Sequence, residues 1–438
     1  MKYLLTLTML SGLILWSCSD DDSGAQLPAE ADFTVTLENV TEAKDFFTSG
    51  VFNTPDGETN PGPAMPGSSY SFSFYAGIGH KLTFATMFVQ TNDLFFAPDE
   101  GGIDLYDGNG NALTGDITGM IDLWDAGTEV NEEPYVGPNQ APRQAAANTG
   151  DDENGTVELV ANVGDGYTYP VDEDIIQVML TNTGTLFTVT INNISANEEA
   201  TPFAPGVFIV FGGDQNPLFT EGQADAGNGL EGVAEDGAAA DLGAFAEDNS
   251  GIVSPMAPGV FVVHDAGVTP LFADNTPDFG QGLEGVAEDG DPSTLGPNVA
   301  TADGVLTSGV FNTPDGAGAP GPLFPGNSYS FSFTATEGAY LNFATMFVQS
   351  NDLFFAFDEG GIALFNNGNP VTGDVTSQLS LWDGGTEVNE FPGAGNNQAP
   401  RQGGPNTGPE ENGNVEIVND SFTYPSSNTV IRVTITTQ

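Results

Sequence analysis

The sequence predicts an all-β protein that consists of two tandem antiparallel β-sandwiches. Short runs of β-branched and aromatic residues recur along the chain, for example at residues 33–37, 70–74 and 187–191. Alternation of this kind over five to seven residues is typical of half-buried strands. The chain has 57 Gly and 29 Pro, which favour turns between the runs. No amphipathic segment of helical length separates them, so antiparallel sandwiches are favoured over a parallel α/β sheet.

Residues 1–18 resemble a bacterial lipoprotein signal peptide. Lys2 precedes an apolar run, residues 4–15, that is too short to span a bilayer, and residues 15–18 resemble a lipobox. Cys18 is the single cysteine, so we expect it to carry the lipid and the mature chain to form no intrachain disulfide. The alternative is a secretory leader that contains a cysteine by coincidence.

Residues 19–31 lack apolar periodicity and are predicted to form a flexible acidic tether. The acids directly after Cys18 resemble the surface-export signal of some Gram-negative lipoproteins. These features predict a lipid-anchored protein of the outer membrane or cell surface in a Gram-negative-type bacterium.

The charge of the chain excludes several classes of partner. Asp and Glu number 61 against 6 Lys and Arg, which gives a formal net charge of −55. Such a surface repels nucleic acids and anionic lipid headgroups. We therefore expect no nucleic-acid partner, and membrane contact only through the lipid anchor. Since 39% of the residues are hydrophobic and 31 are Phe, the chain can still form packed cores.

A duplicated segment defines the predicted domains. The motifs FATMFVQTNDLFFAPDEGG, LWDAGTEVNE and NQAPRQ of residues 82–144 recur with few changes in residues 341–402. The opening strands at residues 33–40 and 187–194 also correspond, which predicts one domain over residues 32–183 and a second over residues 185–438.

The predicted second domain is longer because residues 204–290 contain a repeat of their own. APGVFIVF and GLEGVAEDG at residues 204–211 and 229–237 recur at residues 257–264 and 282–290. The apolar spacing in GLEGVAEDG predicts a short helical turn that ends at glycine, so the segment should contain one or two such turns. The first domain is expected to lack this segment.

Common catalytic constellations lack their residues. His80 and His264 are the only histidines, and neither has a histidine at its repeat position, so a catalytic triad, a histidine-bound zinc and a cysteine nucleophile are disfavoured. The run that starts at Asp107 is not an EF-hand, because Thr118 occupies the twelfth position, where a glutamate is needed. We therefore expect a protein that is not an enzyme. Paired carboxylates could still support glycosidase chemistry, so a carbohydrate-active enzyme or sugar-binding component is the alternative.

The acids that both copies retain are the candidate metal ligands. One follows the apolar run FATMFVQ, and two flank the glycine in the turn after tryptophan, where Gly127 permits a tight reversal. Clustered carboxylates repel one another unless a cation neutralises them, and calcium is the abundant hard cation outside cells. We expect one Ca²⁺ per domain; the alternative is that these acids only form turns. The candidate ligands are Asp93, Asp125 and Glu129 in the first copy and Asp352, Asp383 and Glu387 in the second.

At these residues the chain resembles the spondin N-terminal domain family. The resemblance rests on the stretch at residues 86–93, on the W-D-x-G-T-E turn at residues 124–129, on the second copies of both, and on the GLxxxAExG segments. It implies a C2-like antiparallel β-sandwich with calcium at one end, on the same six acids, and a role in extracellular adhesion. The expected partner is extracellular matrix, a glycan or a surface protein. Unlike the animal members, this chain cannot form disulfides.

Two further pairs of residues are repeated with the acids. Trp124 and Trp382 precede the candidate ligands in the turn and are expected to anchor it to the core. Arg143 and Arg401 occupy the same place in NQAPRQ. We expect each arginine to pair with nearby acids; recognition of an anionic ligand is the alternative.

Overall fold

The computed structural model describes residues 29–213 and 216–438. The predicted signal peptide, Cys18 and most of the predicted tether lie outside the described residues. Within these ranges, no helix is long and apolar enough to cross a bilayer. The strands, in chain order, are β1 (Glu30–Asn39), β2 (Phe46–Phe52), β3 (Ser69–Tyr75), β4 (Lys81–Phe88), β5 (Leu94–Pro98), β6 (Ile103–Asp104), β7 (Gly115–Asp116), β8 (Ile121–Asp125), β9 (Glu158–Leu159), β10 (Ile176–Thr183), β11 (Leu186–Asn193), β12 (Phe203–Phe211), β13 (Met256–Asp265), β14 (Val305–Phe311), β15 (Ser328–Thr336), β16 (Ala339–Phe347), β17 (Leu353–Ala356), β18 (Ile362–Ala363), β19 (Phe365–Asn366), β20 (Asn369–Pro370), β21 (Gly373–Asp374), β22 (Ser380–Asp383), β23 (Glu416–Ile417) and β24 (Ile431–Thr437). The helices are α1 (Val160–Val163), α2 (Asp172–Ile175), α3 (Leu230–Asp236), α4 (Ala240–Asp248), α5 (Leu283–Asp289), α6 (Leu295–Val299) and α7 (Ser427–Val430).

The strands form two antiparallel β-sandwiches, which confirms the predicted all-β class. In the first lobe, residues 46–248, a sheet in the order β3-β11-β10-β7 packs on a sheet in the order β2-β12-β4-β5-β8-β9. In the second lobe, residues 30–39 and 256–438, the sheets have the orders β15-β1-β24-β21 and β14-β13-β16-β17-β22-β23. Each core is rich in stacked phenylalanines, such as Phe72 on Phe208 with ring centroids 4.4 Å apart. The inward rings alternate with exposed serines along β3, as a two-residue strand period requires.

Strand β1 belongs to the second lobe, although the sequence predicted that it opens the first. It lies between β15 and β24, with Phe33 opposite Phe333. In the first lobe β11 takes the equivalent place, with Phe187 opposite Phe74. The predicted domain boundaries, residues 32–183 and 185–438, are therefore wrong. Similarity between β1 and β11 indicates which position of a sandwich each strand fits, and it does not indicate which of the two sandwiches the strand joins.

The repeat within residues 204–290 provides one segment to each lobe. Strand β12 pairs with β2 and β4 of the first lobe, whereas β13 pairs with β14 and β16 of the second. Helices α3 and α4 cover the outer face of the larger sheet in the first lobe, and α5 and α6 do so in the second. The expectation that the first domain lacks the GLxxxAExG segment is thus wrong. Helices α3 and α5 are the predicted turns, while α4 and α6 were not predicted.

The first lobe is inserted between β1 and β13 of the second, so the chain crosses between the lobes twice, at residues 40–45 and 249–255. The lobes also contact each other directly. The ring of Tyr75 stacks on Phe391 at 4.1 Å, and the Arg401 guanidinium donates to the Ile78 carbonyl and lies 3.3 Å from Nε2 of His80. Two covalent connections and these contacts together restrict the movement of one lobe relative to the other.

Candidate metal centre

Neighbouring strands bring the first two candidate ligands together. Strands β5 and β8 are antiparallel, with Leu94 opposite Asp125. Asp93 directly precedes β5, so it lies at the same edge of the sheet as the end of β8. The second lobe repeats this arrangement, with Leu353 opposite Asp383. The adjacent strand ends therefore place two carboxylates side by side in each lobe.

One carboxylate oxygen of Asp93 accepts three hydrogen bonds, and the other accepts none. Its Oδ2 accepts hydrogen bonds from the amides of Thr128 and Glu129, at 2.8 and 3.0 Å, and from the Thr128 hydroxyl at 3.2 Å. The side chain is completely buried, yet Oδ1 has no hydrogen-bond partner. Asp352 is equally buried, accepts the equivalent bonds through its Oδ2, and also leaves Oδ1 unpartnered. A buried polar atom without a partner costs about 1–3 kcal/mol.

Asp125 is held by the turn that follows it. Its Oδ1 accepts a 2.7 Å hydrogen bond from the Gly127 amide, and its Oδ2 accepts one from the Asn131 side chain. Gly127 has a φ of +66°, and a Cβ there would lie 2.6 Å from the Thr156 carbonyl oxygen. Only glycine fits this left-handed, closely packed position. The predicted tight reversal is therefore present, and Gly385 repeats it in the second lobe.

The third acid of the cluster is Glu153, and the sequence had predicted Glu129 there. Ligand atoms of Asp93, Asp125 and Glu153 lie within 4.8 Å of one another, and among the described residues no other group of three acids, histidines or cysteines is so close. The Glu153 amide donates to the Thr128 carbonyl at 2.9 Å, which brings its loop alongside the turn. Glu129 faces Asp93 with its backbone amide, while its carboxylate lies 3.4 Å from the Asn92 side-chain amide.

The second lobe has the same backbone arrangement. The Glu411 amide donates to the Thr386 carbonyl at 2.9 Å, so Glu411 occupies the place of Glu153. Glu387 behaves as Glu129 does: its amide faces Asp352 and its carboxylate lies 3.4 Å from the Asn351 side chain. The sequence contained a signal for the missed acid, because Glu-Asn-Gly at residues 153–155 recurs at residues 411–413.

Burial makes the charged form of these acids unfavourable. It raises the pKa of Asp93 well above the ordinary range of an aspartate, and the charge of Asp125 raises it further, although the three hydrogen bonds to Asp93 oppose the shift. Burial also raises the pKa of Asp125 to about 6 and that of Asp352 to about 7. A bound divalent cation would remove both penalties, because it replaces lost solvation and neutralises the repulsion.

No lysine or arginine among the described residues supplies that charge. Lys44 pairs with Glu42, Lys81 with Asp104 and Arg432 with Glu38. Both remaining arginines donate to neutral groups, as described below. The donor set is therefore oxygen only, with a buried unpartnered oxygen in each lobe, and it fits the ligands that calcium prefers.

Within the described ranges neither repeated arginine forms a salt bridge with an acid, so that expectation is wrong, although the charge of Glu390 acts on Arg401 from a distance. Arg143 donates to the Gly137 carbonyl at 2.8 Å and to the side-chain oxygens of Gln90 and Gln140. These contacts close the loop that contains NQAPRQ. Arg401 bonds to the Gln349 side chain and reaches across to the first lobe. The two equivalent arginines thus differ because only Arg401 has the other lobe beside it.

The repeated tryptophans pack under the helices. Both indole rings are buried, and each lies 4.7 Å from a phenylalanine, Phe219 for Trp124 and Phe272 for Trp382. Trp124 also donates to the Ala97 carbonyl at 3.3 Å. Because side chains alternate along β8, the adjacent Asp125 points to the other face. The tryptophans therefore anchor the strand that presents the acid.

Comparison with known proteins gives no family for this chain: no protein-family model matches it, and no curated protein is significantly similar to it. The resemblance to the spondin N-terminal domain family stays a prediction, and so does the C2-like description of each sandwich. The chemistry of the acids is the remaining guide to function.

Proposed function

We propose that this protein is a lipid-anchored binding module of the cell surface whose recognition loops are organised by calcium. One ion would bind to Asp93, Asp125 and Glu153, and a second to the equivalent acids of the second lobe. The observation that carries the proposal is the unpartnered, completely buried Oδ1 of Asp93 and of Asp352. The spondin resemblance and the predicted lipidation of Cys18 are further parts of the proposal.

The spacing of the acids supports a directly bound ion. Calcium binds oxygen at 2.3–2.6 Å, so two oxygens on the same ion can be about 5 Å apart at most. The ligand atoms of the first-lobe cluster lie within 4.8 Å of one another. A purely turn-forming role would account for Oδ2 of Asp93, which accepts three hydrogen bonds, but it leaves Oδ1 without a function.

The position of the ion supports binding over catalysis. Its ligands come from three separate chain segments, two loops and the end of β8, so the cation would fix these segments in one conformation and preorganise a surface for a partner. Extracellular matrix, a glycan or another surface protein is the class of partner proposed. Attachment through Cys18 would hold this surface outside the cell, and fatty-acid labelling that persists after Cys18→Ser would contradict the anchor.

Calcium binding is tested by thermal unfolding. Calcium at 100 times its Kd should stabilise the folded state by about 2.7 kcal/mol, and Asp125→Asn combined with Asp383→Asn should abolish most of the rise in melting temperature. The matched control is Asp56→Asn with Asp315→Asn, which removes the same charge from exposed aspartates that bond only to serines. A wild-type melting temperature that changes with neither calcium nor chelator would contradict the proposal.

An attachment assay then distinguishes a binding role from a catalytic one. Beads or cells that carry the wild type, the site variant or the control variant are tested on matrix and glycan surfaces, with calcium or chelator. We expect attachment by the wild type and the control in calcium only. Turnover of a glycan that disappears in the site variant would instead favour the carbohydrate-active enzyme.

A further inference from the structure

A second acidic site lies beside the proposed calcium centre of the second lobe, and the first lobe has acids at the equivalent positions. In the second lobe it is a cavity of about 280 Å³ between helix α5 and the turn after β22. Thr386 separates the two sites, because it lines the cavity and also donates two hydrogen bonds to Asp352. Among the described residues, the acids that line the cavity are Asp278, Glu284, Glu288, Glu387 and Glu410. Asp352, Asp383 and Glu411 are not in its lining.

Two of these acids have a buried oxygen without a partner, although only Glu288 is buried as a whole residue and Asp278 is half-buried. Glu288 is 2% exposed, and its Oε2 has no hydrogen bond. Oδ1 of Asp278 is also buried and unpartnered. The first lobe repeats both features: Glu235 is 2% exposed with an unpartnered Oε2, and Oδ1 of Asp225 is unpartnered. The same unsatisfied oxygens at equivalent positions of two lobes point to a ligand that both lobes bind.

The packing of the helix does not require this acid. Helix α5 buries Leu283, Val286 and Ala287 against the sheet, and these apolar side chains account for its attachment. Glu288 is the next residue, and burial of a carboxylate without a counter-charge is costly. Yet the nine residues of the helical segment are identical in the two lobes, and every acid of the cavity has an acid at the equivalent place in the first lobe. The equivalent acids are Asp225, Glu231, Glu235, Glu129 and Asp152.

The polar neighbours of the cavity are also repeated. The Asn406 side chain donates to Glu284 at 2.7 Å, and Asn148 donates to Glu231 at 3.0 Å in the first lobe. These bonds orient the rim of the cavity and leave Glu288 free of them. The lysines and arginines of the described ranges make their contacts elsewhere, as shown above. The cavity therefore combines several negative charges with unsatisfied oxygens and has no protein cation.

We infer that this cavity binds a second divalent cation in each lobe, calcium in the extracellular setting, so that one chain holds four ions. Glu288 and Asp278 would be its main protein ligands in the second lobe, as Glu235 and Asp225 would be in the first. Because the acids surround a cavity wide enough for water, water molecules complete the coordination of the ion, as is common for calcium and magnesium. The site goes beyond the proposed function, because its main ligands are acids that the first centre does not use.

The number of bound ions tests this inference. Native mass spectrometry of the intact protein, with calorimetric titration of CaCl₂, should count four calcium ions per chain. Glu235→Gln combined with Glu288→Gln keeps the size of both side chains, replaces one acceptor oxygen of each by a donating NH₂ group and removes the charge, so it should leave two ions. Asp125→Asn with Asp383→Asn should also leave two, and the control Asp56→Asn with Asp315→Asn should keep four.

Each outcome separates the two sites. Two ions in the wild type, both lost only with Asp125→Asn and Asp383→Asn, would overturn the second site and leave the first centre intact. Ions lost only with the glutamine variant would support the second site and contradict the first. Near-UV circular dichroism checks that the glutamine variant is folded. If it is not, the single variants Glu235→Gln and Glu288→Gln must each lose one ion of four; a count that stays at four refutes the site.

Discussion

Leu37 and Ile191 test how the chain is divided between the two lobes. They occupy equivalent positions in β1 and β11, and both side chains are completely buried. Truncation of either to alanine removes buried apolar atoms and leaves a cavity, which costs about 2–5 kcal/mol. With a urea m-value of about 2 kcal/mol per molar, the midpoint of unfolding should fall by roughly 1–2.5 M. The strand pairing predicts that Leu37→Ala weakens the second lobe and Ile191→Ala the first.

Tryptophan fluorescence can report on each lobe separately. Outside the predicted leader the chain has one tryptophan per lobe, Trp124 and Trp382. Trp124→Phe leaves Trp382 as the reporter of the second lobe, and Trp382→Phe leaves Trp124 as that of the first. Urea unfolding of Leu37→Ala should show the lower midpoint at Trp382 and little change at Trp124. Ile191→Ala should show the reverse.

The opposite assignment has a clear signature. If β1 opened the first sandwich, Leu37→Ala would lower the midpoint seen by Trp124 more than that seen by Trp382. That result would refute the assignment of β1 to the second lobe and of β11 to the first. Equal shifts at both reporters would show instead that the two lobes unfold as one cooperative unit.

Two further predictions concern the turn and the contact between the lobes. Gly127→Ala places a Cβ 2.6 Å from the Thr156 carbonyl oxygen at a φ of +66°, so calorimetric melting should show a loss of at least about 1–2 kcal/mol and a smaller calcium-induced rise; an unchanged melting temperature would contradict the geometry. Burial and the neighbouring Arg401 lower the pKa of His80 to about 3. Between about pH 6.5 and pH 3, His80 is therefore protonated in the unfolded state and neutral in the folded state. The free energy of unfolding consequently falls as the pH drops from 6.5 towards 3. Between pH 7 and 5 the wild type should lose about 2 kcal/mol more than His80→Phe in urea unfolding; parallel pH profiles would refute this.

Local patterns were sufficient to predict strands such as β1, β3 and β11. The alternation in residues 70–74 places every second side chain in the core, and β3 is buried in that pattern. Strand partners, by contrast, are not a local property. β1 and β11 have nearly the same sequence, and either could fill the same place in either sandwich. The length and course of the connections decide between them, and the pattern of a single strand does not contain this information.

Only part of the candidate site could be predicted, because sequence patterns indicate strands but not contacts between distant loops. Asp93 and Asp125 directly adjoin strands that pair, so their proximity follows from the strands. Glu153 reaches the cluster through backbone bonds from its loop to Thr128 and Gly127; the repeat of Glu-Asn-Gly marks this acid in the sequence but does not show that its loop lies beside the turn. Glu129 is close to Asp125 in sequence and both copies retain it, so the sequence predicts it as the ligand. Its amide bonds to Asp93, and its carboxylate lies beside Asn92 instead.

The insertion of one lobe into the other also orders the assembly of the molecule. The first lobe is continuous, so all of its strands and helices are available once residue 248 has been synthesised. The second lobe needs β1 between β15 and β24, and Asn39 lies opposite Ile431 near the end of the chain. Contacts between residues so distant in sequence form slowly, because the loop must close before the contact stabilises it. The second lobe is therefore expected to complete its sheet last. By then the folded first lobe holds the two connections, residues 40–45 and 249–255, close together.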